Sequence, residues 1–294
     1  MNKGDFQSLK KKAKNGDTFA QFVLGKCYET GNSVPKNTKE AIKWYCLAAE
    51  NGYADAQFIL GMYHTEKEGD AVYLITQAAD SGHAEAQYVL GNCYYLGTCT
   101  TPENKTVAVK WYRMGAEQGV AKAQYKLGYC YSLGHGVQKN EETAFILFHK
   151  SAKQGFVESQ FELGKCYMEG IGVLEDKKEA LKWFRKAAKQ GHSQAKMILK
   201  KEAKLALIRK WLETARRYSE GDGVSKDIRE AIKYYCKAAN QGNIKAGFEL
   251  EKIAEEGEEE TFRIIRKYAY KKTLRRIFSI NVNPQHKAGS NSPK

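Results

Sequence analysis

An all-α fold built as a stack of helix pairs is what this sequence predicts, on three observations. Blocks of similar length recur along the chain, with several unlike positions kept together in each. Apolar and small residues within a block fall at helical i, i+4, i+8 spacing. Only four prolines stand in 294 residues, of which 28% are charged, and both figures favour helix.

The apolar share of 42% is enough to bury a sizeable core. The formal net charge is +14, and from Lys196 to Lys294 there are 23 Lys and Arg against 13 Asp and Glu, which places +10 of it in that stretch. A basic excess suits nucleic acid, anionic lipid or an acidic protein. Met1 to Asp17 lacks the apolar run of a signal peptide, and no stretch approaches the roughly 18 apolar residues of a membrane span. Seven cysteines without an export signal predict a reducing compartment. The expected location is therefore cytosol, the cell's own or a host's.

Taken in order, residues 1–17 carry Phe6, Leu9, Ala13 and Gly16, which predict the second helix of a truncated unit and an N-terminal cap. Six helix pairs follow over 18–243. Leu-Gly recurs at Leu24, Leu60, Leu90, Leu127 and Leu163, at spacings of 36, 30, 37 and 36 residues. Four residues earlier stands Ala20, Ala56, Ala86, Ala123 or Ser159; four later stands Tyr28, Tyr94, Tyr131 or Tyr167. That puts one small-Leu-Tyr stripe on the first helix of each pair. The second helix reads Ala-x-x-Trp and then small residues and Gly, as in Ala41, Trp44, Ala48, Ala49 and Gly52, with Trp111, Trp183 and Tyr234 in later copies. Its closing glycine marks a helix end that needs positive φ. Turns such as Gly134-His-Gly-Val137 join the two helices.

Some copies depart from the pattern. The second lacks its turn and is six residues short; the fourth has Leu147 in place of Trp; the sixth begins at Ala195, yet its Tyr218 and Gly221 come about fifteen residues late. The insert Lys200 to Lys210 is itself helix-forming, which predicts an extended or broken first helix. Residues 244–279 hold a further half-unit, opened by Ala246 and Leu250, and a basic helix over Thr261 to Phe278. Residues 280–294 have the apolar-poor composition of a disordered tail.

These lines resemble the Sel1-like repeat, a relative of the tetratricopeptide repeat, over roughly Ala20 to Gly242. The resemblance implies a right-handed α/α superhelix, here of about six pairs, with a basic C-terminal capping helix. It also implies an adaptor that holds a protein or peptide on its concave face, without cofactor or catalysis. Such proteins serve signalling, secretory and cell-envelope processes, and intracellular bacteria export some of them as effectors.

Cys27, Cys93, Cys130 and Cys166 share one repeat position. Equivalent positions on stacked units lie on the order of 9–10 Å apart, beyond the roughly 7 Å that a disulfide allows, so they are read as packing residues. Cys99 falls in a turn and is the one candidate for a reactive thiol. Cysteine-rich Sel1 proteins with one disulfide per repeat have been credited with β-lactam binding or hydrolysis; this chain lacks their paired cysteines, which leaves that enzyme as a remote alternative. The six histidines show no metal spacing; His83 and His192 follow closing glycines, where a polar helix starter is wanted.

If the first helices line the concave face, positions two before and two after the leucine face inward. Those are Phe22, Phe58, Tyr88, Tyr125 and Phe161, with Lys26, Met62, Asn92, Tyr129 and Lys165. Aromatics with adaptable polar neighbours suit an interface core; half-buried packing between successive first helices is the competing reading. The alternative function, binding an anionic membrane or other polyanion, rests on Arg263, Arg266, Lys267, Lys271, Lys272, Arg275 and Arg276, with Phe262, Ile265, Ala269, Leu274 and Ile277 as an apolar stripe. A plain capping helix is its competitor. Nucleic acid is disfavoured, because the groove positions carry few charges. Self-association through an uncapped end stays open.

Overall fold

The computed structural model describes residues 3–63, 68–98, 102–257, 259–270 and 273. Among them every regular element is an α-helix, and the chain divides into two compact units, Met1–Lys196 and Met197–Lys294.

The first unit opens with α1 (Lys3–Lys14). Five pairs follow: α2 (Thr18–Thr30) and α3 (Thr38–Glu50), α4 (Ala54–Tyr63) and α5 (Glu68–Asp80), α6 (Ala84–Leu96) and α7 (Lys105–Glu117), α8 (Ala121–Leu133) and α9 (Glu141–Lys153), α10 (Val157–Glu169) and α11 (Lys177–Lys189). Each first helix packs on its own second helix and on the second helix before it. The small-Leu stripe is the core: Leu24, Leu90 and Leu163 are almost wholly buried, with Ala20, Ala86 and Ser159 beside them. The shared cysteines are buried in that same seam as free thiols. Burial pushes the Cys130 thiol up to about 11 and Cys166 to about 12, so both are inert packing groups. Cys99 lies outside the described residues.

The glycine of each Leu-Gly pair answers to the residue after the tryptophan, or after the leucine that replaces it at Leu74 and Leu147. A Cβ on Gly164 would lie 2.6 Å from the Phe184 ring, so the bare backbone lets that aromatic close onto α10. Tyr45, Tyr112 and Phe148 hold the same place in their pairs and are buried likewise. Gly172, in the α10–α11 turn, adopts φ +67, and a Cβ there would meet the Glu141 carbonyl oxygen at 2.2 Å. The Gly-x-Gly-Val turn is thus a point where one pair rests its backbone on the pair before it.

Hydrogen bonds fix both helix starts. Asn37, Asn104, Asn140 and Asp176 each accept, through the side chain, a backbone N–H of the first turn of the second helix, at 2.8–3.1 Å. The cap's own N–H reaches back to the repeat tyrosine, as from Asp176 to the Tyr167 carbonyl at 2.8 Å. His83 and His192 start first helices, accepting through Nδ1 from Ala86 and Ala195 N–H at 3.1 and 3.3 Å. That leaves the His83 proton on Nε2, 3.2 Å from Asp55.

A ladder of buried glutamines ties successive pairs together. The Nε2 of Gln21, Gln57, Gln87, Gln124 and Gln160 donates to the carbonyl eight residues earlier, near the end of the preceding second helix, at 3.1–3.4 Å. Each of those carbonyls also accepts the backbone N–H of the closing glycine three residues on, as Ala152 does from Gly155 at 3.0 Å. The glutamine amide therefore takes the carbonyl's second lone pair and ties the helix end to the next pair. The Oε1 of Gln87, Gln124 and Gln160 accepts in turn from Gln118, Gln154 and Gln190 at 2.8–2.9 Å.

The expected extension at the sixth copy is a single unbroken helix, α12 (Ser193–Glu220), which spans the insert. The second unit continues with α13 (Ile228–Asn240), α14 (Ile244–Glu256) and α15 (Glu259–Tyr268). Its core gathers Ile208, Ala215, Ile232, Leu250 and Ile265. Asn240 holds the chain beyond α15: its amide donates to the Tyr268 carbonyl, and its oxygen accepts from Tyr270 N–H and the Thr273 hydroxyl, each at 3.0 Å. Among the described residues no helix is long and apolar enough to cross a membrane.

Candidate partner-binding surface

Four of the five aromatics two before the leucine form joints between successive pairs. Phe22 and Phe161 are buried, while Phe58, Tyr88 and Tyr125 are half-buried. Four of the rings meet the residue that follows the next closing glycine: Phe58 stacks on His83 at 4.5 Å, Phe161 on His192 at 4.2 Å, and Phe22 and Tyr125 meet Tyr53 and Phe156 at 4.9 and 5.3 Å, while Tyr88 meets Tyr112 at 6.4 Å. Contacts of this kind are worth about 0.5–1.5 kcal/mol beyond the area they bury. The sequence places each partner 24 to 31 residues away, so the helix's own period does not reveal the burial.

Positions two after the leucine reach further out. Lys26, Met62 and Tyr129 are exposed, whereas Asn92 and Lys165 are half-buried. Lys26 Nζ lies 4.8 Å from the Phe22 ring centroid. Lys165 is bonded to Glu162 at 2.8 Å, and Asn92 accepts from the Tyr112 hydroxyl at 2.8 Å. Met62, 55% exposed, is the least committed of the five.

The structure draws Phe58, Met62 and Tyr88 together along one open groove of about 690 Å³, closed further along by Val120, Lys122 and Phe156. Tyr125 links Phe156 to Tyr129, and Tyr129 meets His135 edge-on at 6.3 Å. His135 Nδ1 in turn lies 2.7 Å from the Tyr95 hydroxyl. Burial, with Glu162 and Glu158 nearby, raises the Tyr125 phenol to about 12, so it remains a neutral donor at physiological pH. The charges on these helices are mixed: α8 carries Lys122 and Lys126, while α6 carries Glu85 and α10 carries Glu158. Apolar anchors and neutral donors, rather than net charge, are what this groove presents.

On α15, Arg263, Arg266 and Lys267 are exposed, but the apolar stripe is already used. Ile265 is fully buried against α13 and α14, and Ala269 is buried beside it. The helix described is therefore a cap with a solvated cationic side. Lys271, Lys272, Leu274, Arg275, Arg276 and Ile277 lie outside the described residues. Among the described residues no group of His, Cys, Asp and Glu is placed to hold a metal ion.

Comparison with known proteins agrees with this geometry. The Sel1 repeat family matches six segments, residues 18–53, 54–83, 84–120, 121–156, 157–192 and 212–243. Among solved structures, a protective antigen of uropathogenic Escherichia coli with an SLR fold is 31% identical, with a TM-score of 0.60 over 89% of this chain. The match spans 56% of that antigen's own length. A Sel1 repeat protein from Oxalobacter formigenes is 30% identical, with a TM-score of 0.57 over 74% of this chain and 84% of the other. No curated protein matches the chain. With six matched segments covering most of its length and two solved relatives of the same architecture, the chain belongs to the Sel1-repeat family.

Proposed function

We propose that this chain is a non-enzymatic interaction scaffold that holds a protein or peptide segment on its first-helix face. The observation that carries the reading is the groove where Phe58, Met62 and Tyr88 come together with Phe156. An exposed methionine beside half-buried aromatics offers an adaptable apolar anchor site, and the mixed charges around it make binding depend little on salt.

The test is affinity capture from lysate at low and moderate salt, with the intact chain compared against Met62→Glu and Tyr129→Ala. Both side chains are exposed, so both variants keep the fold. A discrete protein captured at both salts and lost with Met62→Glu supports the groove. Capture that disappears with salt and is indifferent to both substitutions overturns it.

A further inference from the structure

The first unit carries a second, chemically different face on its second helices. α9 and α11 carry their acids, Glu141, Glu142 and Glu179, in the first turn, where α11 also has Lys177 and Lys178; beyond that turn both helices carry cations and no acid. Lys150 and Lys153 on α9 and Arg185, Lys186 and Lys189 on α11 are exposed, and among the described residues none has a carboxylate partner. Lys182 is exposed as well, bonded to Glu179 at 2.7 Å. Lys150 and Lys186 are one repeat apart, as are Lys153 and Lys189, so the two helices lay down parallel rows. Between them His149 meets Trp183 edge-on at 6.3 Å, and Lys186 Nζ sits 3.8 Å from the Trp183 ring centroid. Burial, then the nearby Lys153 and Lys186, holds the His149 imidazole below its usual range, a sign of how crowded with positive charge this face is.

Two exposed aliphatic side chains interrupt the cations. Ile146 on α9 stands at the register of Lys182 on α11 and is 51% exposed. Met114 on α7 stands at the register of Lys150 and is 42% exposed.

We infer that the α9–α11 face docks the chain on an anionic lipid bilayer surface, separately from the groove on the first helices. Charge complementarity requires an anionic occupant, and the other features choose among anionic occupants. Lysine, not arginine, makes up nearly all of the patch; its compact charge on a flexible stem suits a diffuse headgroup layer rather than the fixed forked geometry of specific phosphate recognition. Protein interfaces tend to exclude lysine. Single-stranded nucleic acid wants exposed aromatics for stacking, and here Trp183 is buried. Ile146 and Met114 are positioned among the cations as interfacial side chains are in peripheral proteins.

The experiment is co-sedimentation of the full chain with phosphatidylcholine vesicles containing about 30% phosphatidylserine, and with pure phosphatidylcholine vesicles. Binding is expected on the anionic vesicles and to vanish at high salt. K150E/K153E/K186E/K189E should lose about a hundredfold or more in partitioning, given the contribution of each basic residue near such a surface. The milder K186Q/K189Q should lose about tenfold, and it serves in place of the first if circular dichroism shows that the fourfold variant has lost helix. M114S/I146S should weaken vesicle binding by about threefold to tenfold yet leave retention on a polyanion column unchanged. R263E/R266E on α15 should bind as the intact chain does. Equal binding to neutral and anionic vesicles overturns the inference. So does wild-type-like binding by the fourfold variant, loss with the α15 variant instead, or tighter binding to duplex DNA than to the vesicles. None of these outcomes depends on the groove, so this face and the scaffold reading stand or fall separately.

Discussion

The pair α4/α5 and the pair α10/α11 occupy the same place in the repeat and solve it differently. In α10/α11, Gly164 receives the Phe184 ring, Cys166 is buried, and Gln160 is bonded on both sides, to the Ala152 carbonyl and to Gln190. In α4/α5, Gly61 receives Ile75 in place of an aromatic. Tyr63 stands where the other copies have cysteine, is 45% exposed, and donates its hydroxyl to Glu29 of the first pair, below whose usual range that hydrogen bond helps to hold the carboxyl. Ser81 stands where Gln190 would be, and among the described residues the buried Gln57 Oε1 has no partner. The shortened copy keeps the contact that sets helix against helix and the bond from Gln57 to the Ala49 carbonyl, and loses the bond from that glutamine's oxygen to the end of its own second helix. The glycine contact that sets register and the glutamine network at the helix ends are thus separable properties of this fold.

The largest expected effect tests the first of these. Gly164→Ala puts a Cβ against a ring fixed on all sides. Overpacking of about 3 kcal/mol, offset by about 1 kcal/mol of better helix propensity, leaves a net loss of about 2 kcal/mol. Gly61→Ala meets Ile75 Cγ1 at 2.7 Å and the Ala71 carbonyl oxygen at 3.1 Å, a stiff β-branched side chain and backbone, so its loss should be of similar size. Urea denaturation of both variants checks this, and a loss confined to Gly164→Ala would mean that only the aromatic sets the register.

The glutamine network comes next. Gln160→Leu removes the bonds to the Ala152 carbonyl and the Gln190 amide, each of which keeps one other partner at Gly155, for a loss of about 1 kcal/mol. Gln57→Leu gives up a weaker network and removes an oxygen that has no partner, so its loss should be about half as large. A double-mutant cycle between Gln160 and Gln190 should show positive coupling, with no counterpart between Gln57 and Ser81. Conversely, Ser81→Gln supplies the missing donor and should stabilise the first unit by about 1 kcal/mol.

These contrasts also show what could be read from the sequence. The period was legible because Leu-Gly, the shared cysteine and the Trp-bearing helix recur together, and the extension at Lys200 to Lys210 was legible because every residue in it favours helix. The glutamine ladder was equally present, with Gln21, Gln57, Gln87, Gln124 and Gln160 each following the small residue, yet an amide gives no sign of being buried. Its partner lies about 30 residues on, at the end of another helix. The aromatics two before the leucine were found as a row, but their closure depends on Tyr53, His83, Phe156 and His192, which belong to loops. Periodicity tells which residues share a face; it does not tell what the neighbouring copy lays over that face. The cationic rows of α9 and α11 are hidden in the sequence for a related reason. The charge excess lies after Lys196, while Lys150, Lys153, Lys186 and Lys189 become a patch only when two repeats are stacked.

The smallest expected effect is a pH dependence that belongs to one copy. His149 on α9 stands at the register of Arg113 and Arg185, which are exposed and permanently charged, and of Thr76 in the short copy. Half-buried between Phe145 and Trp183, its imidazole is held below the usual range, first by burial and then by Lys153 and Lys186. The unfolded chain therefore takes up this proton more readily than the folded one. The stabilisation from a neutral His149 is fully present above the unfolded value of about 6.5 and is lost as pH falls from there through the lowered folded value. Thermal melts between neutral and mildly acidic pH should show the intact chain losing stability, and His149→Leu should flatten that part of the curve. A slope unchanged by the substitution would assign the acid sensitivity to carboxylates, such as Glu29, whose lowered folded value makes them lose stabilisation at still lower pH. The two sources are separable because His149 acts below about 6.5 while carboxylates act below about 4.5.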